Sequence, residues 1–280
     1  MTTTLKTVSP VDGSVYVERS FVDETEVAQA LSRAVRAQQI WREVPVAERA
    51  ELCVRAVDAI VAAKNDIARE ITWQMGRPIA YAPGEVAGFE ERARHMIAAA
   101  PKALEDIPAE EIDGFTRFIR REPLGVVFVV APWNYPYLTS VNSVVPALMA
   151  GNAVILKHSA QTPLVAERYA EAFEAAGLPT GVFQYLHLDH AATGRVIKAA
   201  EVDFVAFTGS VPGGDMVETA AAGRFIGVGL ELGGKDPAYV RADADIKFAV
   251  ASLVDGAFFN SGQSCCGIER IYVDQGVYDD

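Results

Sequence analysis

The sequence is poor in cysteine and histidine. Its 280 residues include 3 cysteines and 4 histidines, and two of the cysteines, Cys265 and Cys266, are neighbours, which strain keeps from pairing with each other. A disulfide framework is therefore excluded, and the reducing cytoplasm is the expected location. The histidines are not spaced as metal ligands or as partners of a cysteine, so we expect no metal site.

Positive charge is scarce as well. Lys and Arg number 25 against 37 Asp and Glu, a net charge of −12, whereas binding to nucleic-acid phosphates requires a basic surface. No segment reaches the run of about 18 apolar residues that a membrane span requires, and the N-terminus lacks the apolar core of a signal peptide. We therefore expect a cytoplasmic protein whose partners include neither nucleic acid nor membrane.

The distribution of apolar residues predicts the fold class. Residues 23–76 and 85–104 repeat apolar positions at three- and four-residue steps, which predicts a helical lead-in. Further along, short apolar runs alternate with helix-like stretches, a pattern typical of a parallel sheet covered by helices on both faces. We therefore expect an α/β protein with a doubly wound parallel sheet. The runs lie at 125–130, 153–156, 182–186, 204–207 and 225–230.

Three further segments complete this prediction. Residues 115–120 alternate apolar and polar side chains, as a half-exposed strand does. Residues 243–259 have the pattern of an amphipathic helix, and residues 268–273 that of a strand. Since a domain averages about 150 residues, a chain of 280 residues allows two compact units.

Two glycine patterns approach known nucleotide-binding motifs and fail in detail. GVGLEL at 227–232 has leucine in place of the third glycine of the dinucleotide fingerprint. GLELGGK at 229–235 has the spacing of a triphosphate-binding loop, but Asp236 stands where a Ser or Thr must hold magnesium, so we reject a nucleotide triphosphatase. The glycine-rich segment 209–214 leads into a helix expected from Met216, and its amides either face a phosphate or form an ordinary turn.

Residues at the ends of the apolar runs are candidates for chemistry, because ligands bind at the carboxyl ends of parallel strands. Cys265 lies in a glycine-flanked loop where a thiol is reachable, although most free cysteines are simply buried small side chains. Glu231 precedes two glycines, a suitable place for a general base. Asn134 offers an amide donor for an oxyanion. Together these three residues favour acyl transfer through a thioester.

Four motifs in a fixed order resemble those of the aldehyde dehydrogenase superfamily, the NAD(P)-dependent enzymes that oxidise aldehydes to carboxylic acids. They are APWNYP at 131–136, FTGS at 207–210, LELGGK at 230–235 and GQSC at 262–265. The resemblance implies a variant Rossmann sheet without the three-glycine turn. It further implies a cofactor-binding domain at 1–106 and 124–233, an oligomerisation arm strand at 107–123 and an incomplete second α/β catalytic domain at 234–280.

The resemblance also implies a role for each site residue. Cys265 is expected to be the nucleophile that forms a thiohemiacetal and then a thioester. Asn134 and the Cys265 backbone amide are expected to hold the oxyanion, and Glu231 to activate the water that hydrolyses the thioester. The substrate would be a small-molecule aldehyde, and the complete protein a homo-oligomer. NAD or NADP is expected to bind at Trp133, Lys157, Ser159, Gly209, Ser210 and Gly214.

Three features depart from the family pattern. Ala160 stands where many NAD-preferring members carry a carboxylate for the ribose hydroxyls, so the 2′-phosphate of NADP is not repelled. Cys266 is either a redox partner of the nucleophile or, as we favour, a packed thiol. Family members also continue well beyond this length, so we expect either a fragment of a longer enzyme or a truncated product. For a truncated product the alternative function is a non-catalytic cofactor-binding or interaction module.

Overall fold

The computed structural model describes residues 4–279 and begins with an antiparallel hairpin. Its strands are β1 (Thr4–Val8) and β2 (Val15–Ser20), which the sequence pattern does not predict. Arg19 of β2 donates two hydrogen bonds, of 2.8 and 2.9 Å, to the carboxylate of Glu167. This ion pair ties the hairpin to the main body of the protein.

The helical lead-in expected from the apolar periodicity is confirmed. Asp23 begins its first helix, because its side chain accepts a hydrogen bond from the Glu26 amide while the Glu26 carboxylate accepts one from the Asp23 amide. Gly76, at φ 83°, ends the third helix in the left-handed conformation that favours glycine. The helices are α1 (Glu24–Trp41), α2 (Val46–Ala62), α3 (Lys64–Met75) and α4 (Pro83–Ala103).

An exposed arm follows α4. Two-residue strands, β3 (Ile107–Pro108) and β4 (Phe118–Ile119), pair with each other in antiparallel orientation. The half-exposed strand predicted over 115–120 is therefore only partly right, because pairing is limited to β4 and every residue of the segment is exposed. The reason is that β4 pairs with the other limb of the arm and not with a sheet that could cover one face.

The five predicted apolar runs form one parallel sheet. Along the chain, the strands first move outward from the sheet centre and then return to its other side, and ligands bind at such a switch point. The strands are β5 (Val126–Val130), β6 (Ala153–Lys157), β7 (Phe183–Tyr185), β8 (Phe204–Thr208) and β9 (Gly227–Glu231), in spatial order β7-β6-β5-β8-β9. The connecting helices are α5 (Pro136–Met149), α6 (Leu164–Ala175), α7 (His190–Lys198) and α8 (Val211–Ala221).

The sheet is covered on both faces, which confirms the doubly wound class. All five residues of β5 are buried, because alternate side chains enter different cores. Val127 and Val129 pack in one core with residues of α2 to α6, whereas Val126 and Phe128 pack in the other with residues of α7 and α8. Two cores hold the strands rigidly, so the loops at their carboxyl ends start from fixed positions.

Beyond β9 the chain forms a second, smaller sheet. β10 (Asp236–Val240) and β11 (Ile268–Val273) pair in parallel and are connected through α9 (Ile246–Phe258). α9 and β11 confirm the predicted helix and strand, whereas β10 escapes prediction because Pro237 weakens a strand pattern. The domain limits inferred from the resemblance, 1–106 with 124–233, 107–123 and 234–280, stay a prediction.

Candidate active site

The carboxyl ends of β5, β6 and β8 open into a cleft of about 850 Å³, a volume within the roughly 300–1,000 Å³ of small-molecule sites. The loop that carries the candidate nucleophile closes one side of it. The cleft brings together most of the residues singled out from the sequence. These are Trp133, Asn134, Lys157, Ser159, Gly209, Ser210 and Cys265.

A second cleft, of about 1000 Å³, contains Glu231 and also reaches Cys265. Thr208, Leu232 and Cys265 line both clefts. Cys265 therefore lies where the two clefts meet. The candidate base and the candidate cofactor residues lie in different clefts, each next to the candidate nucleophile.

Lys157 and Ser159 supply the polar groups after β6. Burial lowers the pKa of the Lys157 ammonium group, and among residues 4–279 no carboxylate contributes to that shift. A desolvated cation without a counter-ion is suited to an anionic or hydroxyl-rich ligand. The Ser159 hydroxyl accepts a hydrogen bond of 3.2 Å from the Gln161 amide, which leaves its own proton free to donate.

His158 holds this segment against the start of α5. Its Nδ1 accepts hydrogen bonds from the Ser159 amide at 3.0 Å and the Thr162 hydroxyl at 3.1 Å, and its Nε2 lies 3.1 Å from the Pro136 carbonyl oxygen. Because an amide only donates, Nδ1 carries no proton and the ring is the neutral Nε2–H form. Burial lowers the pKa of His158 to about 3. An uncharged histidine therefore positions Ser159.

The glycine-rich segment after β8 forms a helix start, as expected, but earlier than predicted. α8 begins at Val211 and not at Met216, because the Ser210 side chain caps the helix by accepting a hydrogen bond of 3.2 Å from the Gly213 amide. The later start is predicted because a pair of glycines, Gly213 and Gly214, is rare inside a helix. The Ser210 cap outweighs that preference and the helix includes both glycines. The positive end of α8 consequently faces the first cleft.

Gly214 is the one candidate cofactor residue that does not line the first cleft. It lies inside the first turn of α8, where its amide donates a hydrogen bond of 2.9 Å to the Ser210 carbonyl. A Cβ at this position would lie 2.8 Å from Cδ2 of Leu232. Gly214 thus permits the close packing of α8. Of the three candidate residues in this segment, Gly209 and Ser210 line the cleft.

Asn134 is anchored to the loop that precedes Cys265. Its Nδ2 donates a hydrogen bond of 3.0 Å to the Gln263 carbonyl, and Nδ2 of Asn260 donates one of 2.9 Å to the Asn134 carbonyl. A side-chain amide has two protons, so one proton of the Asn134 amide remains available to a ligand. Sequence reasoning missed Asn260, whose only signal was its place in the loop 260–267.

The cysteines differ from expectation in two ways. Cys266 does not pack against protein, since both Cys265 and Cys266 are exposed and the Cys266 Sγ lies 3.3 Å from the Ser264 Oγ. Partial burial, and then the adjacent Cys266, raise the pKa of Cys265, whereas an activated thiol requires a lowered pKa. Cys53 is buried, and burial raises its pKa to about 12, which disfavours the reactive thiolate form.

The segment after Glu231 passes directly against the cysteine loop. Glu231 ends β9, and its carbonyl accepts a hydrogen bond of 2.9 Å from the Gly209 amide. A Cβ on Gly234 would lie 3.0 Å from the Cys265 carbonyl oxygen, so a glycine permits this approach. The segment that begins with Glu231 therefore runs toward Cys265.

Within residues 4–279, no group of three or more His, Cys, Asp or Glu side chains is placed to hold a metal ion. None of the helices in this part of the chain has the length and apolar character that crossing a membrane requires.

Comparison with known proteins extends over the whole chain. Residues 1–280 match the family model described as Aldehyde dehydrogenase family. The chain is 33% identical over 278 residues to Succinate-semialdehyde dehydrogenase (NADP(+)) 1 of Mycobacterium tuberculosis, covering 99% of this chain and 61% of that protein. It is 35% identical over 278 residues to 3,6-anhydro-alpha-L-galactose dehydrogenase of Streptomyces coelicolor, covering 99% of this chain and 56% of that protein.

Solved structures agree with these matches. The structure of NADP-dependent glyceraldehyde-3-phosphate dehydrogenase from Bacillus halodurans, complexed with NADP, has a TM-score of 0.91 and 32% identity, covering 99% of this chain and 59% of that one. That of an NAD-dependent aldehyde dehydrogenase from Sinorhizobium meliloti has a TM-score of 0.94 and 34% identity, covering 99% and 56%. The chain thus spans less than two thirds of the length of these relatives.

Proposed function

The chain belongs to the aldehyde dehydrogenase family, and from this premise we propose that the protein oxidises an aldehyde to a carboxylic acid with NAD or NADP. The observation that carries the proposal is the position of Cys265, between the cleft that holds Lys157 and the cleft that holds Glu231. A nucleophile there reaches a cofactor on one side and a base on the other. Because the relatives are named for different aldehydes, the proposal is limited to aldehydes as a class.

The residues after β6 fit the adenosine ribose of the cofactor. The partly buried Lys157 ammonium and the free Ser159 proton would donate to ribose hydroxyls or to a 2′-phosphate. Ala160 places no carboxylate beside them, so the 2′-phosphate of NADP meets a cation and no repelling charge. We therefore propose that NADP is accepted at least as well as NAD.

The start of α8 fits the pyrophosphate. Pro212 has no amide proton and the Gly213 amide is used within the cap, so the phosphates would meet the Ser210 hydroxyl and the positive end of the helix. Trp133 is 39% exposed and lines the same cleft, where it would flank the cofactor. The bound cofactor supplies the acceptor for a hydride.

Cys265 would begin the reaction by adding to the aldehyde. Its Sγ forms a bond to the carbonyl carbon, and the carbonyl oxygen takes up the negative charge. The free proton of the Asn134 amide and the Cys265 backbone amide would donate to that oxygen. Because the pKa of Cys265 is raised, the thiol proton must leave as the bond forms, and it passes to solvent water.

Glu231 would complete the reaction. Loss of a hydride from the thiohemiacetal carbon leaves a thioester on Cys265. Glu231 takes a proton from a water molecule whose oxygen attacks the thioester carbon, and Asn134 again donates to the oxyanion. The carbon–sulfur bond then breaks, Cys265 recovers its proton and the carboxylic acid leaves.

We further propose that the arm, residues 107–123, forms a contact between copies in a homo-oligomer. Its apolar side chains are open to solvent, with Phe115 71% and Ile119 64% exposed. Exposed apolar clusters of this kind mark interaction surfaces. Replacing both residues by Ser should lower the oligomeric state in analytical ultracentrifugation, and an unchanged state would contradict the proposal.

The function is tested by following the reduction of NAD and NADP by the full gene product with a panel of aldehydes. Cys265→Ala should abolish turnover and leave cofactor binding, measured by tryptophan fluorescence, unchanged. Cys266→Ser is the matched control, since it removes a neighbouring thiol that is also exposed and should retain turnover. Turnover that survives Cys265→Ala would contradict the proposal.

A second candidate function is a cofactor-binding module without catalysis. The raised pKa of Cys265 favours it, because a protonated thiol is a weak nucleophile. The same assay separates the two candidates. A non-catalytic module would bind NADP but reduce none of it with any aldehyde of the panel, whether or not Cys265 is alkylated.

A further inference from the structure

Glu85 is a buried carboxylate that the proposed reaction does not use. It lies in the first turn of α4 and is 1% exposed. Its Oε1 accepts hydrogen bonds of 3.1 and 3.0 Å from the amides of Tyr137 and Leu138, in the first turn of α5, where Tyr135 provides no side-chain cap. Glu85 therefore caps α5 from outside and places its negative charge at the positive end of that helix.

The other oxygen of Glu85 binds Arg77, which is also buried. Nη1 of Arg77 donates to Oε2 of Glu85 at 2.6 Å. The guanidinium carbon lies 5.7 Å from the ring centre of Tyr135 and 5.8 Å from that of Phe259. These two rings are nearly parallel, at 14°, with their centres 6.3 Å apart. A planar guanidinium is suited to binding a carboxylate and two ring systems together.

These contacts join the two segments that carry the proposed oxyanion donors. Asn134 directly precedes Tyr135, and Phe259 directly precedes Asn260, whose side chain donates to the Asn134 carbonyl at 2.9 Å. Arg77 therefore touches both segments at the residues next to the hydrogen bond that connects them. Glu85 holds the first turn of α5 immediately behind Asn134.

Stability alone does not account for this arrangement. A buried ion pair contributes little net stability, since the loss of hydration offsets much of the attraction between the charges. Two buried side-chain atoms of the residues involved, Nε of Arg77 and Oδ1 of Asn260, have no hydrogen-bond partner among residues 4–279. Such atoms are unfavourable in a folded protein and call for an explanation beyond packing.

We propose that Arg77 and Glu85 are positioning residues that set the distance between the Asn134 amide and the Cys265 backbone amide. This inference rests on the proposed function, in which these two groups stabilise one oxyanion. Such donors act only when both converge about 3 Å from the same oxygen. One donor follows β5 and the other lies in the loop after α9, so their separation depends on a link between the two segments.

The test measures the first-turnover burst of reduced cofactor in the full gene product. Glu85→Gln keeps the size of the side chain and an acceptor for the α5 amides, but it removes the charge that binds Arg77. The burst rate should fall about tenfold, less than the 10²–10³-fold for complete loss of a donor, while KM for NADP stays unchanged. In an Asn134→Ala background the same substitution should have little further effect, because the donor it positions is gone.

Arg77→Lys tests the same link without removing the charge. This variant loses the planar contact with both rings, so its burst rate should lie between those of the wild type and Glu85→Gln. If Glu85→Gln does not fold, Arg77→Lys provides the test. Glu70→Gln is the matched control, because Glu70 pairs with Arg168 between α3 and α6, outside both clefts. The control should lower thermal stability and leave the burst rate unchanged.

The outcomes separate this inference from the function on which it rests. Equal effects of Glu85→Gln with and without Asn134, or a burst rate no lower than that of Glu70→Gln, would overturn the positioning role alone. A wild-type protein that reduces no cofactor with any aldehyde, or an Asn134→Ala variant with an unchanged first-turnover rate, would refute the proposed function and the positioning role with it.

Discussion

Mild acid should destabilise the protein through His158. This side chain is 3% exposed, and its Nδ1 faces the Ser159 amide at 3.0 Å, so a proton on Nδ1 would meet another N–H group. Burial lowers the pKa of His158 from 6.5 to about 3. Between these two values the unfolded chain binds one proton more than the folded protein, and stability therefore falls as pH falls.

The magnitude follows from the position of pH 5 between the two pKa values. The unfolded imidazole is then about 1.5 pH units below its pKa, and at 1.36 kcal/mol per unit this amounts to ~2 kcal/mol. The folded imidazole is still neutral, because about 3 lies well below pH 5. At pH 7.5 neither state binds the proton and the contribution vanishes.

The assay is urea unfolding at pH 7.5 and pH 5 of the wild type, His158→Gln and His95→Gln. The free energy of unfolding of the wild type should fall by ~2 kcal/mol more than that of His158→Gln. His95 is exposed, so His95→Gln should follow the wild type. Equal pH dependence of the wild type and His158→Gln would refute the buried, neutral histidine.

Glu167 does not interfere in this range of pH. Against the effect of burial, hydrogen bonds from His187 and Arg19 lower the pKa of Glu167 from 4.5 to about 2. A depressed carboxylate pKa stabilises the folded protein above the unfolded pKa, and this contribution is lost as pH falls from about 4.5 to about 2. Its loss is therefore separated in pH from that of His158.

Three further predictions concern the site. Glu231→Gln should leave the first-turnover burst intact and slow steady turnover by about 10²–10⁴-fold, whereas unchanged steady turnover would remove Glu231 from thioester hydrolysis. Lys157→Met should weaken binding of NADP more than binding of NAD in fluorescence titrations, and a strong wild-type preference for NAD would contradict the proposed ribose site. Iodoacetamide should label Cys265 before Cys53, because burial raises the pKa of Cys53 to about 12. Peptide mapping that finds Cys53 modified first in the native protein would contradict the burial of Cys53.

The sequence by itself determines the fold class, because the doubly wound sheet has local signals. Residues 125–130 and 204–207 are apolar almost throughout, since each strand packs into cores on both faces. Once these strands are recognised, their carboxyl ends place Asn134, Lys157 and Gly209 at one edge of the sheet. The strand β10 carried no such signal, because its pattern is interrupted by proline.

Only the tertiary structure decided the features that depend on contacts between distant segments. The exposure of Cys266 depends on which residues lie beside the loop, and no local pattern contains that information. The pKa of His158 is set by burial beneath α5 and by a carbonyl group 22 residues away. Glu85 reaches the amide of Tyr137 across 52 residues of sequence. Burial and long-range hydrogen bonds arise only when the chain has folded. The sequence motifs therefore identified the candidate site residues, but they did not identify His158 and Glu85, which hold those residues in place.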